Sequence, residues 1–339
     1  MAGAVHTEQA VIDGPPAATQ TRERGGAAQA DETRSPLTEI PEAGLFVLPG
    51  GYVGDDGVNH SEVELSPVTG REEDLLTDVP PHTCTASAIT CLLSCCLKRV
   101  GSLSPVPVLV VRDLLVGDRE YLIVKLREMT FGPQVDAVIG CANALCGRPM
   151  DIAFSLANLG LERRPVTQRF FAQRLSPTVM SREGDAAQGA AEMEFRLPTG
   201  ADQEILAPLF QADETRAVNQ LLARCVRRIG ACTQIDEATI ARLSEDTRRE
   251  IEAGMERLAP QVAIELDLIC PECQTAFVTA FDFTAFFLAE MKANLRHLER
   301  EVHLLAWHYH WSEREILSLT RKRRQRYIKL VDEELERLS

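Results

Sequence analysis

The sequence has few aromatic residues and less positive than negative charge. Aromatic residues make up 5% of the chain, and 36 lysines and arginines face 50 aspartates and glutamates, which gives a formal net charge of −14. A general nucleic-acid binder needs a basic face, so this balance argues against that class. The 339 residues and the 45% apolar fraction are enough for a sizeable core, in two domains or in one domain with insertions.

Sequence patterns typical of membrane proteins and of common enzyme classes are also missing. No stretch approaches 18 uninterrupted apolar residues, so we predict no membrane-spanning segment. There is no Gly-x4-Gly-Lys-Ser/Thr loop, no Gly-x-Gly-x-x-Gly that opens a helix after a strand, and no Gly-x-Ser-x-Gly. We therefore expect neither enzymatic activity nor a small-molecule substrate.

Ten cysteines would suit a secreted protein with several disulfides, but no signal peptide is predicted. The chain begins Met1-Ala-Gly-Ala-Val-His6 and continues into polar sequence. We therefore expect reduced thiols and a cytoplasmic location.

Four of the cysteines form two closely spaced pairs. Cys270-Pro-Glu-Cys273 and Cys141-Ala-Asn-Ala-Leu-Cys146 each lie between two apolar segments that are predicted as strands. Two such knuckles facing each other would supply four thiolates in a tetrahedron, at about 2.3 Å from a zinc ion. We predict a structural zinc held by Cys141, Cys146, Cys270 and Cys273, which holds the fold together and does not catalyse.

The alternative is that the two pairs are unrelated. The gap between residues 147 and 269 is far longer than the roughly 15–20 residues that usually separate the halves of a zinc ribbon. In that case Cys141 and Cys146 would be buried small apolar residues, and Cys270 and Cys273 would be a free or redox-active pair.

The predicted fold class is α+β. It is rich in helix, with a β-hairpin and two zinc-ribbon-like knuckles brought together around an inserted helical region. The predicted organisation along the chain is a disordered tail over 1–43, an α+β region with the first knuckle over 44–180, a loop and inserted helical region over 181–258, the second knuckle over 259–288, and C-terminal helices over 289–339.

Hydrophobic periodicity gives more local predictions. We predict a β-hairpin over 45–65, and helices over 84–102, 119–127, 217–229, 236–258 and 284–309. We also predict that Ser312 caps a following helix, with Glu315 completing a capping box. Cys91, Cys95 and Cys96 lie among leucines on the first of these helices, so we expect them to be buried as small apolar residues.

The C-terminal helices carry the residues that we predict to bind a partner. His303, His308 and His310 accompany two tryptophans and lack the glutamate of a zinc protease, which favours a docking face over a metal site. The basic run 321–326 favours a solvated face or a contact with an acidic partner over a contact with phosphates. The predicted partner-binding residues are Trp307, Tyr309, Trp311, Arg321, Arg323 and Arg324.

Several segments in order resemble a known family. They are Leu48-Pro-Gly-Gly-Tyr52, Gly117-Asp-Arg-Glu-Tyr-Leu122, Phe195-Arg-Leu-Pro-Thr-Gly200, the two knuckles, Glu301-Val-His-Leu-Leu-Ala306 and Trp311-Ser-Glu-Arg-Glu-Ile-Leu317. Together they resemble the baseplate-hub assembly family of T-even-type phage tails, which also occurs in gene clusters for phage-tail-like contractile injection systems. The resemblance covers roughly residues 44–332, and its first knuckle departs from the family's Cys-Pro-x-Cys.

The resemblance implies a non-enzymatic, chaperone-like assembly factor whose partners are hub or spike proteins of a contractile particle. It also matches the four cysteines to the family's two knuckles. The alternative within the same system is a permanent structural subunit of the baseplate. A zinc-ribbon regulator that binds nucleic acid is a further alternative, supported only by the basic run.

Overall fold

The structure is a computed structural model that describes residues 43–55, 57–76, 83–158, 163–176, 191–262 and 264–338. The predicted disordered tail lies outside the described residues, except for residue 43, and so does most of the predicted loop that begins at residue 181. No helix in these ranges is long and apolar enough to cross a membrane.

The first half of the described chain alternates short sheets with helices. Its elements are β1 (Gly44–Val53), β2 (Asn59–Leu65), α1 (Gly70–Leu75), α2 (Thr85–Cys96), β3 (Leu97–Val100), α3 (Val108–Asp113), α4 (Val116–Phe131), β4 (Gln134–Gly140) and β5 (Pro149–Ser155).

The second half repeats this order. Its elements are β6 (Phe171–Arg174), β7 (Glu192–Phe195), α5 (Gly200–Ala212), α6 (Glu214–Cys225), β8 (Val226–Ile229), α7 (Glu237–Arg242), α8 (Glu245–Leu258), β9 (Glu265–Ile269) and β10 (Ala276–Ala280). Three helices follow, namely α9 (Phe283–Tyr309), α10 (Glu313–Leu317) and α11 (Arg321–Leu338).

The repetition extends to the register of the strands. In the sheet β1-β2-β3, Val63 pairs with Val100 and Leu65 with Leu97, and a bulge separates the two pairs. In the sheet β6-β7-β8, Met193 pairs with Ile229 and Phe195 with Val226, again across a bulge. The chain is thus built from two copies of one unit, which we call the first repeat (residues 44–155) and the second repeat (residues 171–280).

A glycine at the same place in each repeat ends the third strand. Gly101 and Gly230 have φ angles of +55° and +56°, a region that residues with a Cβ rarely adopt. Each donates its N–H to a carbonyl of the middle strand, at 2.7 and 2.8 Å. This shared turn fixes where the chain leaves the sheet and enters the next helix.

Each repeat has its own hydrophobic core, made from matching positions. Leu93, Cys96 and Val100 are buried in the first repeat. Leu222, Cys225 and Ile229 are buried in the second. The first core is extended by residues of α9, such as Phe287 and Met291, so the C-terminal helices close the first repeat.

The structure confirms several predicted elements and corrects others. The hairpin, the helix through 119–127, the long helix that ends at Tyr309 and the Ser312 capping box are all present. The helices predicted over 84–102 and 217–229 end early, at Cys96 and Cys225, because the next four residues form β3 and β8.

The region that we interpreted as an inserted helical segment also contains strands. Glu192–Phe195 pairs with both Phe171–Arg174 and Val226–Ile229, so most of the segment belongs to the second repeat. Of the three cysteines predicted to be buried on α2, Cys96 is buried, Cys95 is half-buried and Cys91 is exposed, so the prediction is wrong for Cys91.

A four-cysteine site between the repeats

Each repeat ends in a hairpin whose turn carries two cysteines. The pair β4 and β5 presents Cys141 and Cys146, and the pair β9 and β10 presents Cys270 and Cys273. The N–H of the first cysteine donates across the turn in both hairpins, Cys141 to the carbonyl of Arg148 at 2.9 Å and Cys270 to that of Thr275 at 3.0 Å. The two knuckles therefore have the same local fold despite their different loop lengths.

The residue after the second cysteine is left-handed in both turns. Gly147 has a φ angle of +55°, which glycine adopts readily. Gln274 has a φ angle of +58° at the matching place, a conformation that is uncommon for a residue with a side chain. The sharp reversal turns both sulfurs of each knuckle toward the same point.

The structure brings the four predicted ligands together. Their sulfur atoms all lie within 4.8 Å of one another, with Cys141 Sγ 3.6 Å from Cys273 Sγ and Cys146 Sγ 3.9 Å from Cys270 Sγ. An ion held by four sulfurs at about 2.3 Å with tetrahedral angles spaces those sulfurs about 3.8 Å apart. A disulfide needs about 2.05 Å, so the observed spacing fits a four-thiolate metal site and not two disulfides.

Backbone N–H groups point at three of the four sulfurs. The N–H groups of Asn143, Arg148 and Thr275 each donate to the cysteine sulfur two residues earlier. The hydroxyl and N–H of Thr275 lower the pKa of Cys273 to about 6. A low thiol pKa favours the thiolate, which is the form that binds metal.

The thiols of the first knuckle differ from Cys273. The pKa of Cys141 is raised to about 12, because burial and the neighbouring thiols outweigh the lowering effect of the Asn143 N–H. The pKa of Cys146 is also raised, although the Arg148 N–H acts to lower it. Metal binding at such a site releases the protons that these thiols hold.

Asn143 joins the two knuckles and was not singled out from the sequence. Its side-chain amide donates to Thr275 Oγ1 at 3.2 Å and lies 3.8 Å from Cys273 Sγ. Its Oδ1 accepts the N–H of Leu145 at 3.0 Å, which fixes the turn around it. An asparagine two residues after a cysteine in a tight turn is the sequence signal that could have found it.

Few other contacts link the two hairpins near the sulfurs. In the described part of the chain β4 and β5 form one two-stranded sheet and β9 and β10 form another, with no ladder between them. At the knuckles Arg148 and Glu272 form an exposed ion pair at 3.7 Å. At the far end of the hairpins the rings of Phe154 and Phe281 meet edge to face, with 5.4 Å between their centroids. Isolated two-stranded hairpins are at best marginally stable, so a shared ion would be the main link here.

The predicted partner surface is partly exposed and partly internal. Trp307 is 72% exposed on α9. Tyr309 and Trp311 are half-buried and stack at 4.9 Å between ring centroids, and Tyr327 of α11 meets both edges-on. This aromatic group therefore joins α9 to α11, and Trp307, two residues before Tyr309 on α9, lies on another face of that helix.

Two arginines that we assigned to a partner have roles inside the molecule. Arg324 is fully buried, with Nη2 2.8 Å from both carboxylate oxygens of Glu73 and Nε 2.7 Å from Glu301. It cannot reach a partner from there, and we remove it from the predicted surface. Arg321 is half-buried and lies over the ring of Phe131 at 5.3 Å, while Arg323 is half-buried on the same helix.

The histidines of α9 take no part in a metal cluster. The four cysteines form the group of three or more possible metal ligands found among the described residues, and His303, His308 and His310 lie outside it. All three imidazoles are exposed on α9 or at its end.

A family model described as T4 bacteriophage base plate protein matches residues 53–288. This range covers well over half of the chain and includes the first repeat from the end of β1 onward, the whole second repeat and all four cysteines. A search of the curated proteins found no match. A search of the solved structures found none either.

Proposed function

The chain belongs to the T4 bacteriophage base plate protein family, and on that premise we propose that it is a non-enzymatic assembly factor for the baseplate hub of a contractile tail or tail-like injection particle. The observation that carries the proposal is the family match, which spans most of the first repeat, the whole second repeat and both knuckles. We propose that this assembly takes place in the cytoplasm and that the partners are hub or spike proteins.

We propose that the ion in the four-cysteine site is zinc. Four thiolates in a tetrahedron are the ligand set of structural zinc sites, and they leave no open position for a substrate or an activated water. The ion would supply cohesion between the two hairpins and no chemistry. Cys141, Cys146, Cys270 and Cys273 would hold it, and Asn143 and Thr275 would orient the sulfurs.

The C-terminal helices supply a surface that suits transient docking. Trp307 is exposed on α9, and aromatic residues carry much of the binding energy of protein interfaces. The net charge of −14 favours encounter with a basic partner surface.

The experiment that tests the assembly role is quantitative mass spectrometry of mature particles and of assembly intermediates. An assembly factor should be present in intermediates and absent, or far below stoichiometric amounts, in mature particles. A stoichiometric amount in mature particles would replace this proposal with the alternative of a permanent baseplate subunit.

The structure weakens the one observation that supports the nucleic-acid alternative, which is the basic run 321–326. Arg321 and Arg324 of the basic run contact Phe131 and two glutamates within the chain, so fewer cations of that run face outward. Filter binding at low salt tests it, and retention of DNA or RNA that weakens steeply with added salt would revive it.

A further inference from the structure

One corner between two helices occurs three times in the described chain. Each copy has a short helix, a leucine that follows the helix directly or after one residue, a capping position, and a second helix whose fourth residue is an arginine. The arginine bonds a side chain or a backbone carbonyl of a preceding helix. We call this an arginine corner. The copies are the first corner (Val111–Arg119), the second corner (Ile240–Arg248) and the third corner (Ile316–Arg324).

The three corners are alike in detail. Val111, Ile240 and Ile316 are each fully buried. Arg119 donates to Thr90 at 2.9 Å and Arg248 donates to Asn219 at 3.1 Å, which are matching positions of α2 and α6. Arg324 donates to Glu301 of α9.

A second motif occurs twice, at the start of α1 and of α5. Thr69-Gly-Arg-Glu72 and Thr199-Gly-Ala-Asp202 both form capping boxes, in which the threonine and the acid three residues later bond each other's backbone N–H groups. We call this motif a Thr-Gly box.

Each Thr-Gly box lies against an arginine corner from another part of the chain. The N–H of Gly200 donates to the carbonyl of Leu114 at 3.1 Å, and Thr199 bridges to Leu115. The N–H of Gly70 donates to the carbonyl of Leu319, also at 3.1 Å, and Thr69 bridges to Thr320. The second box is thus docked on the first corner, and the first box is docked on the third corner.

The glycine of the box makes room for the arginine of the corner. A Cβ at position 200 would overlap the guanidinium of Arg119, and a Cβ at position 70 would lie 3.1 Å from Nη1 of Arg324. The helix that follows the glycine also brings a carboxylate. Glu73 bonds Arg324 directly, and Glu204 contacts Thr90 and Arg112 beside Arg119.

The second corner has no such cover among the described residues, because both boxes found there are docked elsewhere. Ser244 is exposed, whereas Leu115 and Thr320 at the matching place of the two covered corners are half-buried. Ala241, Arg242 and Glu245 beside it are exposed as well. The corner is complete in its fold and uncovered at the edge that its two counterparts use for docking.

We propose that the second corner is a docking edge for a Thr-Gly box of another baseplate protein. The segment that fits is a strand end, then Thr-Gly or Ser-Gly, then a helix with a carboxylate three or four residues after the glycine. A second copy of this chain is a poor occupant, since both of its boxes are engaged within the molecule. This inference deepens the proposed function and rests on it for the existence of a baseplate partner.

The test is site-specific photo-crosslinking of the full chain in cells that assemble the particle. A photoreactive phenylalanine replaces Ser244 in one variant, Trp307 in a second and the exposed Ala276 of β10 in a third, and mass spectrometry identifies the linked peptides. We expect position 244 to link to a peptide of another baseplate protein that contains the Thr-Gly or Ser-Gly box, and position 276 not to do so.

The three positions separate the possible failures. Links from position 307 to baseplate proteins without any from 244, or links from 244 to peptides that lack the box, would overturn this inference and leave the proposed function standing. No link to a baseplate protein from any position would count against both.

A blocking variant provides a second readout. Ser244→Trp should reduce recovery of the linked partner by at least about tenfold, since the new side chain occupies the edge, whereas Ala276→Trp should not. Melting curves of both variants show that they fold. Unchanged recovery with folded Ser244→Trp would overturn the inference.

Discussion

The two repeats share a fold and differ in how each is closed. The first repeat is covered by α9, α10 and α11, and its Glu73 is buried against Arg324 of the last helix. The second repeat docks its Thr-Gly box on the first, and no other described part of the chain covers its own corner. The described chain has two Thr-Gly boxes and three arginine corners, so its own boxes can cover only two of the corners. The corner that is left lies in the second repeat.

The repeats also differ in how they hold a buried aspartate. Asp118 accepts the N–H groups of Gly50 and Gly51 without a cation, and burial raises its pKa to about 6. Asp202 is buried as well, but the guanidinium groups of Arg196 and Arg224 outweigh burial and lower its pKa to about 2. The two repeats therefore each carry a buried carboxylate, and the two carboxylates have opposite dependence on pH.

The four-cysteine site lies between the two repeats, and loss of the zinc that we propose there should have the largest effect. Cys270→Ser should abolish stoichiometric zinc and lower the melting temperature by at least about 10 °C, because bound metal contributes directly to folding free energy. Elemental analysis and calorimetry measure both. The exposed Cys232 of the second repeat is the control, and Cys232→Ser should change neither quantity. Equal behaviour of the two variants would contradict the metal link.

The next largest loss of stability should come from removing the arginine of a covered corner, and the loss should be smaller at the uncovered corner. Arg324→Ala leaves Glu73 and Glu301 buried without their cation, which typically lowers the free energy of unfolding by about 3–5 kcal/mol. Arg248→Ala removes a hydrogen bond to Asn219 in a half-buried place, and we expect about 1 kcal/mol. Chemical denaturation compares the two, and similar losses would remove the distinction between the corners.

The two aspartates should give opposite pH profiles. The folded-state pKa of Asp202 is lowered, so its contribution is present above the unfolded pKa near 4 and is lost as the pH falls through about 2. Asp202→Asn should therefore cost about 2 kcal/mol at pH 7 and less at pH 2 to 3. The folded-state pKa of Asp118 is raised, so its contribution is full below about pH 4 and is lost as the pH rises through about 6.

Chemical denaturation of wild type and of Asp118→Asn between pH 4 and pH 7 tests the prediction for Asp118. The part of the wild-type decline in stability that Asp118 causes over that range should be missing from the variant. A decline of the same size in both proteins would show that Asp118 does not titrate there.

The smallest effect on stability should come from the exposed tryptophan. Trp307→Ala should leave the melting temperature within about 1 °C of the wild type, since surface substitutions away from packed features have little effect. Trp311→Ala breaks the stack with Tyr309 and Tyr327 and should cost about 1–2 kcal/mol. Of these two tryptophan variants, only Trp307→Ala should weaken recovery of a baseplate partner without a change in stability, and pull-down of the folded variants tests this.

Each knuckle could be predicted because its signal lies in contiguous sequence. Paired cysteines in a tight turn between alternating strands identify each half, and four thiolates have few other uses at that spacing. The long helix α9 and the capping box at Ser312 were predictable for the same reason, since a periodic stripe and a cap lie in contiguous sequence.

The duplication and the buried arginines were not predicted from the sequence. The short strands that reveal the duplication, and the burial of these arginines, are decided by residues far away in the sequence. Leu97–Val100 and Val226–Ile229 follow directly on helices and are too short to be told from helix by periodicity, so pairing with the middle strand decides their state. A comparison of the chain with itself would have aligned Cys96-Leu-Lys-Arg-Val-Gly101 with Cys225-Val-Arg-Arg-Ile-Gly230. Arg324 lies in a charged run that indicates a surface, and its main partner, Glu73, is 251 residues away in the sequence.

The most direct test of the account is X-ray absorption at the zinc edge of the purified full-length chain, together with its metal content. We predict one zinc per chain with four sulfur neighbours at about 2.3 Å, the arrangement that requires both repeats to meet at one ion. A spectrum with nitrogen or oxygen ligands in the first shell, or a chain that folds without metal, would contradict it.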